Sequence, residues 1–213
     1  MRNFQYRDST NPINNFHSCH FGADKHLKKD YKIELVSKAS PIREKVEKFI
    51  HDSFEKHFSA QLNTFFPLIL SVIRKSDDTL IGALGIRYAQ DEKLFSECYL
   101  DKSIEESIFS NEHKTITRNK IIELGNFVVR KNTDVKTVIP FVGKFIKALN
   151  VEWAVYTLTR PIRSHFQKLD IKLCYLSEAN IEAVNGAATN WGNYYNFKPA
   201  VYYSNVQDSM NNS

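Results

Sequence analysis

The sequence is poor in cysteine, in glycine and in long apolar runs, and each shortage removes a class of protein. Its three cysteines, Cys19, Cys98 and Cys174, are odd in number and widely spaced. That is the pattern of free thiols in a reducing compartment, not of a disulfide framework. No stretch approaches the ~20 consecutive apolar residues a spanning helix needs. The start, Met1 to Arg7, has no apolar run behind it and does not read as a secretory signal. A cytoplasmic location is therefore expected, with membrane contact at most peripheral. Dense basic runs interleaved with aromatics are missing, as are zinc-finger and helix-turn-helix spacings, so nucleic acid is not an expected partner. His17, His20, Asp24 and His26 fit no zinc template, and no metal is expected.

What remains is the composition of a globular protein. Of 213 residues, 42% are hydrophobic and 13% aromatic, enough to bury a core within one domain. The net charge of +5 suits an anionic small ligand, an acidic carrier protein or a lipid surface, and by itself selects none of them. Residues 1–30 are polar and without a period, an arm ahead of a domain over 31–205; residues 206–213 read as a frayed tail.

Within the domain, Tyr31 to Val36 alternates as a strand. Ser40-Pro41 then opens a helix, with Ser40 as its cap, whose stripe Ile42, Val46, Phe49, Ile50 and Phe54 runs to about residue 60. Leu68–Arg74 and Leu80–Ala89 form a hairpin, Leu94–Tyr99 a short strand and Ser103–Phe109 a helical turn. The clearest strand of the second half is 119–130. Thr137 is the expected cap of a helix reaching Leu149, followed by a strand at Trp153–Thr157, a helix at Pro161–Leu169, and strands at Ile171–Tyr175 and Ala200–Tyr203. Strand, helix, strand over 119–158 requires a right-handed parallel crossover. The fold class expected is α/β (α+β): a mixed, mainly antiparallel sheet with helices on both faces and one parallel βαβ unit.

Ligands of open α/β sheets bind beyond the carboxyl ends of the parallel strands, here past Val129 and Thr157. Glu123 is a carboxylate among Ile, Leu, Phe and Val, a setting that raises its pKa and suits a general base. Gly125 is the candidate for a strand bulge that turns backbone N–H groups of Gly125–Asn126 toward a thioester carbonyl. Alternation puts Glu123, Gly125 and Phe127 on one face. Arg87, Glu97 and Asp101 are acceptor-side candidates, with Trp191 and Tyr194 from the aromatic loop. Tyr195 is a candidate acid for the leaving thiolate. The donor is expected along Phe127, Val128 and Val129 and over Arg130, Lys131, Lys136, Thr137 and Val138, at the start of the next helix.

Several motifs carry a family resemblance: Phe66-Pro-Leu-Ile-Leu70, Ile81-Gly-Ala-Leu-Gly-Ile-Arg-Tyr-Ala89, Leu94 to Glu105, Ile122-Glu-Leu-Gly-Asn126, Trp191-Gly-Asn-Tyr-Tyr195 and Pro199-Ala-Val201. In that order, over residues ~60–205, the chain resembles the bacterial thermostable hemolysin family. That family looks like a branch of the GNAT acyltransferases near the acyl-homoserine lactone synthases. The resemblance implies a GNAT fold and acyl transfer from acyl-CoA, or from the phosphopantetheine of an acyl-carrier protein, to a small-molecule acceptor. Two departures matter. The synthases carry Glu-x-x-Arg on the corresponding strand, whereas here Glu123 is followed by Asn126, which argues against lactone synthesis. GNAT enzymes usually supply a Gln/Arg-x-x-Gly-x-Gly/Ala loop for the donor pyrophosphate, and Arg130 to Thr137 contains no glycine. The family name also implies membrane lysis, direct or through an acylated amphiphile, and the missing loop admits a non-catalytic binding module.

Overall fold

The computed structural model describes residues 30–184 and 190–208. Seven strands form one sheet: β1 (Tyr31–Val36), β2 (Leu68–Arg74), β3 (Thr79–Tyr88), β4 (Ile121–Val129), β5 (Trp153–Leu158), β6 (Cys174–Glu178) and β7 (Ala200–Asn205), in the order β1-β2-β3-β4-β5-β7-β6. Every neighbouring pair is antiparallel except β4 and β5, which are parallel. The helices are α1 (Arg43–Phe58), α2 (Ile104–Glu112), α3 (Val135–Lys147) and α4 (Arg160–Lys168). The expected mixed sheet with one parallel crossover is the fold observed.

Three apolar clusters hold the layers together. On one face, α1 presents Val46, Ile50 and Phe54, one per turn, to Ile69, Leu80, Ala83 and Val128. Beside it, Ile104 and Ile108 of α2 cover Ile121, Trp153, Val155 and Tyr203. On the other face, α3 buries Val135, Val138, Ile139, Val142 and Ile146, and α4 buries Phe166, against Ile86, Leu124, Ala154 and Tyr156. Each such fully buried side chain favours folding by about 1.5–3 kcal/mol before entropy is subtracted.

Local chemistry shifts several boundaries. Ser40 does not cap α1; its Oγ accepts from the Ser37 amide, and the helix begins at Arg43. Leu94–Tyr99 is no strand: residues 95–99 form a 3-10 turn because the Glu97 carboxylate takes the Leu94 N–H. Thr137 does not cap α3, which starts at Val135 after a 3-10 turn over Asn132–Asp134, leaving Pro140 inside the helix. The strand expected at Ile171 begins at Cys174. Val206, placed in the tail from sequence, is buried, and its N–H bonds Glu152 O. The arm and the histidines at 17, 20 and 26 lie outside the described residues, as does Cys19; Cys98 and Cys174 are free thiols. Among the described residues no helix is long and apolar enough to cross a membrane.

Candidate active site

The parallel ladder between β4 and β5 is short. Ile121 to Leu124 pair with Trp153 to Tyr156, and beyond those residues the two strands part. On the opposite edge of β4 the register slips: Ala83 faces Val128 and Gly85 faces Gly125, so β4 carries one extra residue. Asn126 supplies it, in the left-handed region at φ 49°. The bulge is thus at Asn126. Gly125 has a different task, because a Cβ there would stand 2.5 Å from Phe66 Cζ, and one at Gly85 would stand 2.6 Å from Phe66 Cγ. The two glycines make room for one ring. The extra residue also inverts the strand's alternation. Val128 joins the α1-side core with Ala83, while Phe127 packs with the α3-side cluster, so Phe127 does not share a face with Glu123 and Gly125.

Two cavities meet at this splay. The larger, about 300 Å³, runs between α1, α3 and α4, with Leu84, Val142, Ile146 and Phe166 among its walls. The smaller, about 80 Å³, is walled by Phe65, Phe66, Phe95, Tyr99 and Trp191, with Arg87 and Glu123. They share Phe54, Leu124, Gly125, Asn126, Thr157 and Tyr194. Four buried polar atoms on these shared or adjoining walls make no hydrogen bond among the described residues: Asn126 Oδ1, Thr157 Oγ1, Trp191 Nε1 and Arg87 Nε, the last keeping only an ion contact to Glu92. Orphaned polar atoms of this kind are uncommon in folded proteins and fit a site that a polar ligand completes.

Among the described residues, Glu123 is the only carboxylate lining either cavity. It is 2% exposed. The Ser96 N–H donates to Oε1 at 2.7 Å and the Phe95 N–H to Oε2 at 2.9 Å. Arg87 Nη1 stands 3.8 Å from Oε2, and its guanidinium lies 4.8 Å over the Phe66 ring. Burial pushes the Glu123 carboxyl above the usual carboxylate range, against the opposing pull of the two amides and Arg87. Arg87 is shared, since its Nε also pairs with Glu92 at 3.2 Å, which weakens its hold on Glu123.

A family model described as thermostable hemolysin matches residues 36–210. The chain belongs to that family. No curated protein matches it in sequence. Among solved structures, TofI in an apo form is 8% identical, with a TM-score of 0.55 over 82% of this chain and 91% of that one. FeeM, an N-acyl amino acid synthase from uncultured soil microbes, is 12% identical, with a TM-score of 0.55 over 85% and 96%. BjaI, a CoA-dependent acyl-homoserine lactone synthase described with SAM and isopentyl-CoA, is 9% identical, with a TM-score of 0.52 over 83% of each chain. At these identities the likeness shows the GNAT-like fold.

In this member of the thermostable hemolysin family, Glu123, Arg87, Gly125, Asn126, Trp191 and Tyr194 come together around the smaller cavity. Glu97 does not join them. It is 6% exposed and held by Arg118 through two bonds, Nη1 to Oε1 at 2.8 Å and Nη2 to Oε2 at 3.1 Å, with the Leu94 and Ile104 N–H groups donating as well. Burial opposes its ionisation, but the Arg118 bonds and amides outweigh that and hold it below the usual carboxylate range. Glu97 is therefore a brace between the 95–99 turn and α2. Asp101 is exposed and lines neither cavity. Tyr195 also lines neither; its hydroxyl is 2.7 Å from that of Tyr99, which does. Tyr99 escaped sequence reading because it lies 22 residues before β4 and only the 3-10 turn aims it inward. Burial, then the Tyr195 hydroxyl, holds the Tyr99 phenol protonated at any ordinary pH.

On the donor side, Phe127, Val128 and Val129 line the larger cavity, joined by Asn132. Arg130 is committed elsewhere, with Nε donating to Leu80 O at 2.7 Å and its guanidinium 5.4 Å over Phe49. Val138 is buried beneath Gly82, so it offers nothing to an anion. Lys131 and Lys136 are exposed near the start of α3, and Thr137 is half-buried there. Asp134 already places a carboxylate at that helix end, accepting from the Lys131 N–H at 3.1 Å.

Proposed function

We propose that the protein transfers an acyl group from a pantetheine thioester to an amine or alcohol. The observation that carries this reading is the meeting of a long apolar cavity and a smaller aromatic one at the β4–β5 splay, with buried Glu123 opening onto the smaller one alone. The acyl-pantetheine enters along Phe127 to Val129, where β4 has lost its ladder partner on the β5 side. The acceptor occupies the smaller cavity. Glu123 takes a proton from the acceptor nitrogen or oxygen, whose lone pair attacks the thioester carbonyl carbon. Backbone N–H groups at the Gly125–Asn126 bulge stabilise the resulting oxyanion. Collapse breaks the C–S bond, and the proton that Glu123 removed passes to the leaving thiolate. The Tyr99 hydroxyl, backed by Tyr195, hydrogen-bonds the sulfur while keeping its own proton. The donor is acyl-CoA or an acyl-carrier protein. Asp134 favours the carrier, because a helix end that already holds a carboxylate is a poorer cradle for pyrophosphate.

The test is thiol release from decanoyl-CoA and from decanoyl-carrier protein by purified protein, with a panel of primary amines and alcohols. Acceptor-dependent release supports acyl transfer; donor binding without release would mark a binding module. The family's name favours one further arm, dye leakage from phosphatidylcholine liposomes. Leakage with no acyl donor present would make lysis direct and would contradict the view that any lytic effect is exerted by an acylated product.

A further inference from the structure

The larger cavity is apolar except at one place that the acyl-transfer reading leaves unexplained. Beneath the splay, on the α3 side, Tyr156 OH and Ser204 Oγ lie 3.0 Å apart, and both residues line the cavity. Tyr156 is 9% and Ser204 1% exposed. Ser204 pairs with Ala154, two residues before Tyr156 along β5, which puts it about 7 Å below the last β4–β5 rung. Around the pair stand Val142, Ile146, Phe166, Ile171 and Val206. A plain alkyl chain would fill such a chamber best if Phe and Ala stood in place of the two hydroxyl residues.

Hydrogen accounting sharpens the point. Two hydroxyls carry two hydrogens, and the bond between them uses one. Among the described residues neither oxygen has another partner, so one O–H in an apolar chamber is left without an acceptor. Leaving it unmatched when the chamber fills is unfavourable, whereas an oxygen on the entering chain satisfies it. We propose that this chamber selects an acyl chain carrying a hydroxyl or oxo group, with Tyr156 and Ser204 as the residues that recognise that oxygen. The proposal rests on reading the larger cavity as the donor site.

Its test uses acyl-pantetheines, the moiety common to CoA and carrier-protein donors, so that the choice of donor does not enter. Calorimetric binding is compared for decanoyl-pantetheine and for its 3-hydroxy, 3-oxo and ω-hydroxy forms, with the wild type and with the double variant Tyr156→Phe/Ser204→Ala. The expected result is a preference of about tenfold or more for at least one oxygenated chain. The double variant should lose that preference while binding decanoyl-pantetheine at least as well as the wild type does, because removing one hydroxyl alone would still leave the other O–H unmatched. Both substitutions remove a single polar group in place, and circular dichroism checks that the fold is kept. Equal binding of all four ligands by the wild type, or a preference unchanged in the double variant, overturns the proposal and leaves the donor site standing. Binding of none overturns both.

Discussion

Glu97 and Glu123 are the two buried glutamates among the described residues, and their surroundings begin alike. Each carboxylate accepts two backbone N–H groups, and each has an arginine nearby. The difference lies in the arginine. Arg118 grips Glu97 through both carboxylate oxygens, whereas Arg87 stands 3.8 Å from Glu123 and is shared with Glu92. Burial raises the Glu123 carboxyl above its ordinary value of 4.5, with Arg87 too loosely placed to offset it. At Glu97 burial is outweighed by the Arg118 bonds and the amides, which hold the carboxyl below that value. A bidentate pair fixes a carboxylate as structure; a loosely paired one beside a cavity keeps its proton exchangeable and suits chemistry.

Exchanging the two residues in turn tests that division. Glu123→Gln should lower turnover about 10²–10⁴-fold, while stability from urea unfolding changes by only about 1 kcal/mol. Glu97→Ala should do the reverse. It strands Arg118 and two amides and should cost about 3 kcal/mol in the same unfolding experiment, toward the low end for a buried pair because Arg118 is 29% exposed. Turnover per folded molecule should be largely kept. If Glu97→Ala were instead inactive and fully stable, the two roles would have to be swapped.

Gly125→Ala probes the wall between the two cavities. The new methyl meets the tip of Phe66, whose other end rests against Gly85 and whose ring lies beneath the Arg87 guanidinium, so about 1–3 kcal/mol of stability should be lost. Phe66→Leu in the same chain should restore part of it. A neutral Gly125→Ala would mean that the ring retreats freely and that these glycines are not there for close approach.

The sheet, its single parallel crossover and the site strand were legible in the sequence because hydrophobic period and chain order determine them. Glu123 stood out for the same reason, as a carboxylate inside an apolar strand. The position of the bulge was not legible: Gly125 and Asn126 are both residues that tolerate unusual backbone, and only the cross-strand register separates them. The grip on Glu97 was not legible because its partner Arg118 is 21 residues away, in a short 3-10 turn without periodicity. Tyr99 was missed because 3-10 turns held by one side chain leave no repeating pattern. The Tyr156–Ser204 pair was invisible, since two hydroxyls 48 residues apart signal nothing until the strands pair.

The two glutamates also oppose each other in pH. Glu97, with its lowered folded pKa, adds stability that is present above its ordinary value and lost as pH falls through the folded value. Glu123, with its raised folded pKa, adds stability that is full below its ordinary value and lost as pH rises through the folded one. Its activity runs the other way, because only the ionised form accepts a proton. The pH profile of kcat/KM for thioester cleavage is therefore the most direct test of Glu123 as the base. The wild type should gain activity through an acid limb lying above the ordinary carboxylate value of 4.5, and Glu123→Gln should abolish that limb. A limb at the ordinary value, or one that survives in Glu123→Gln, would contradict the account.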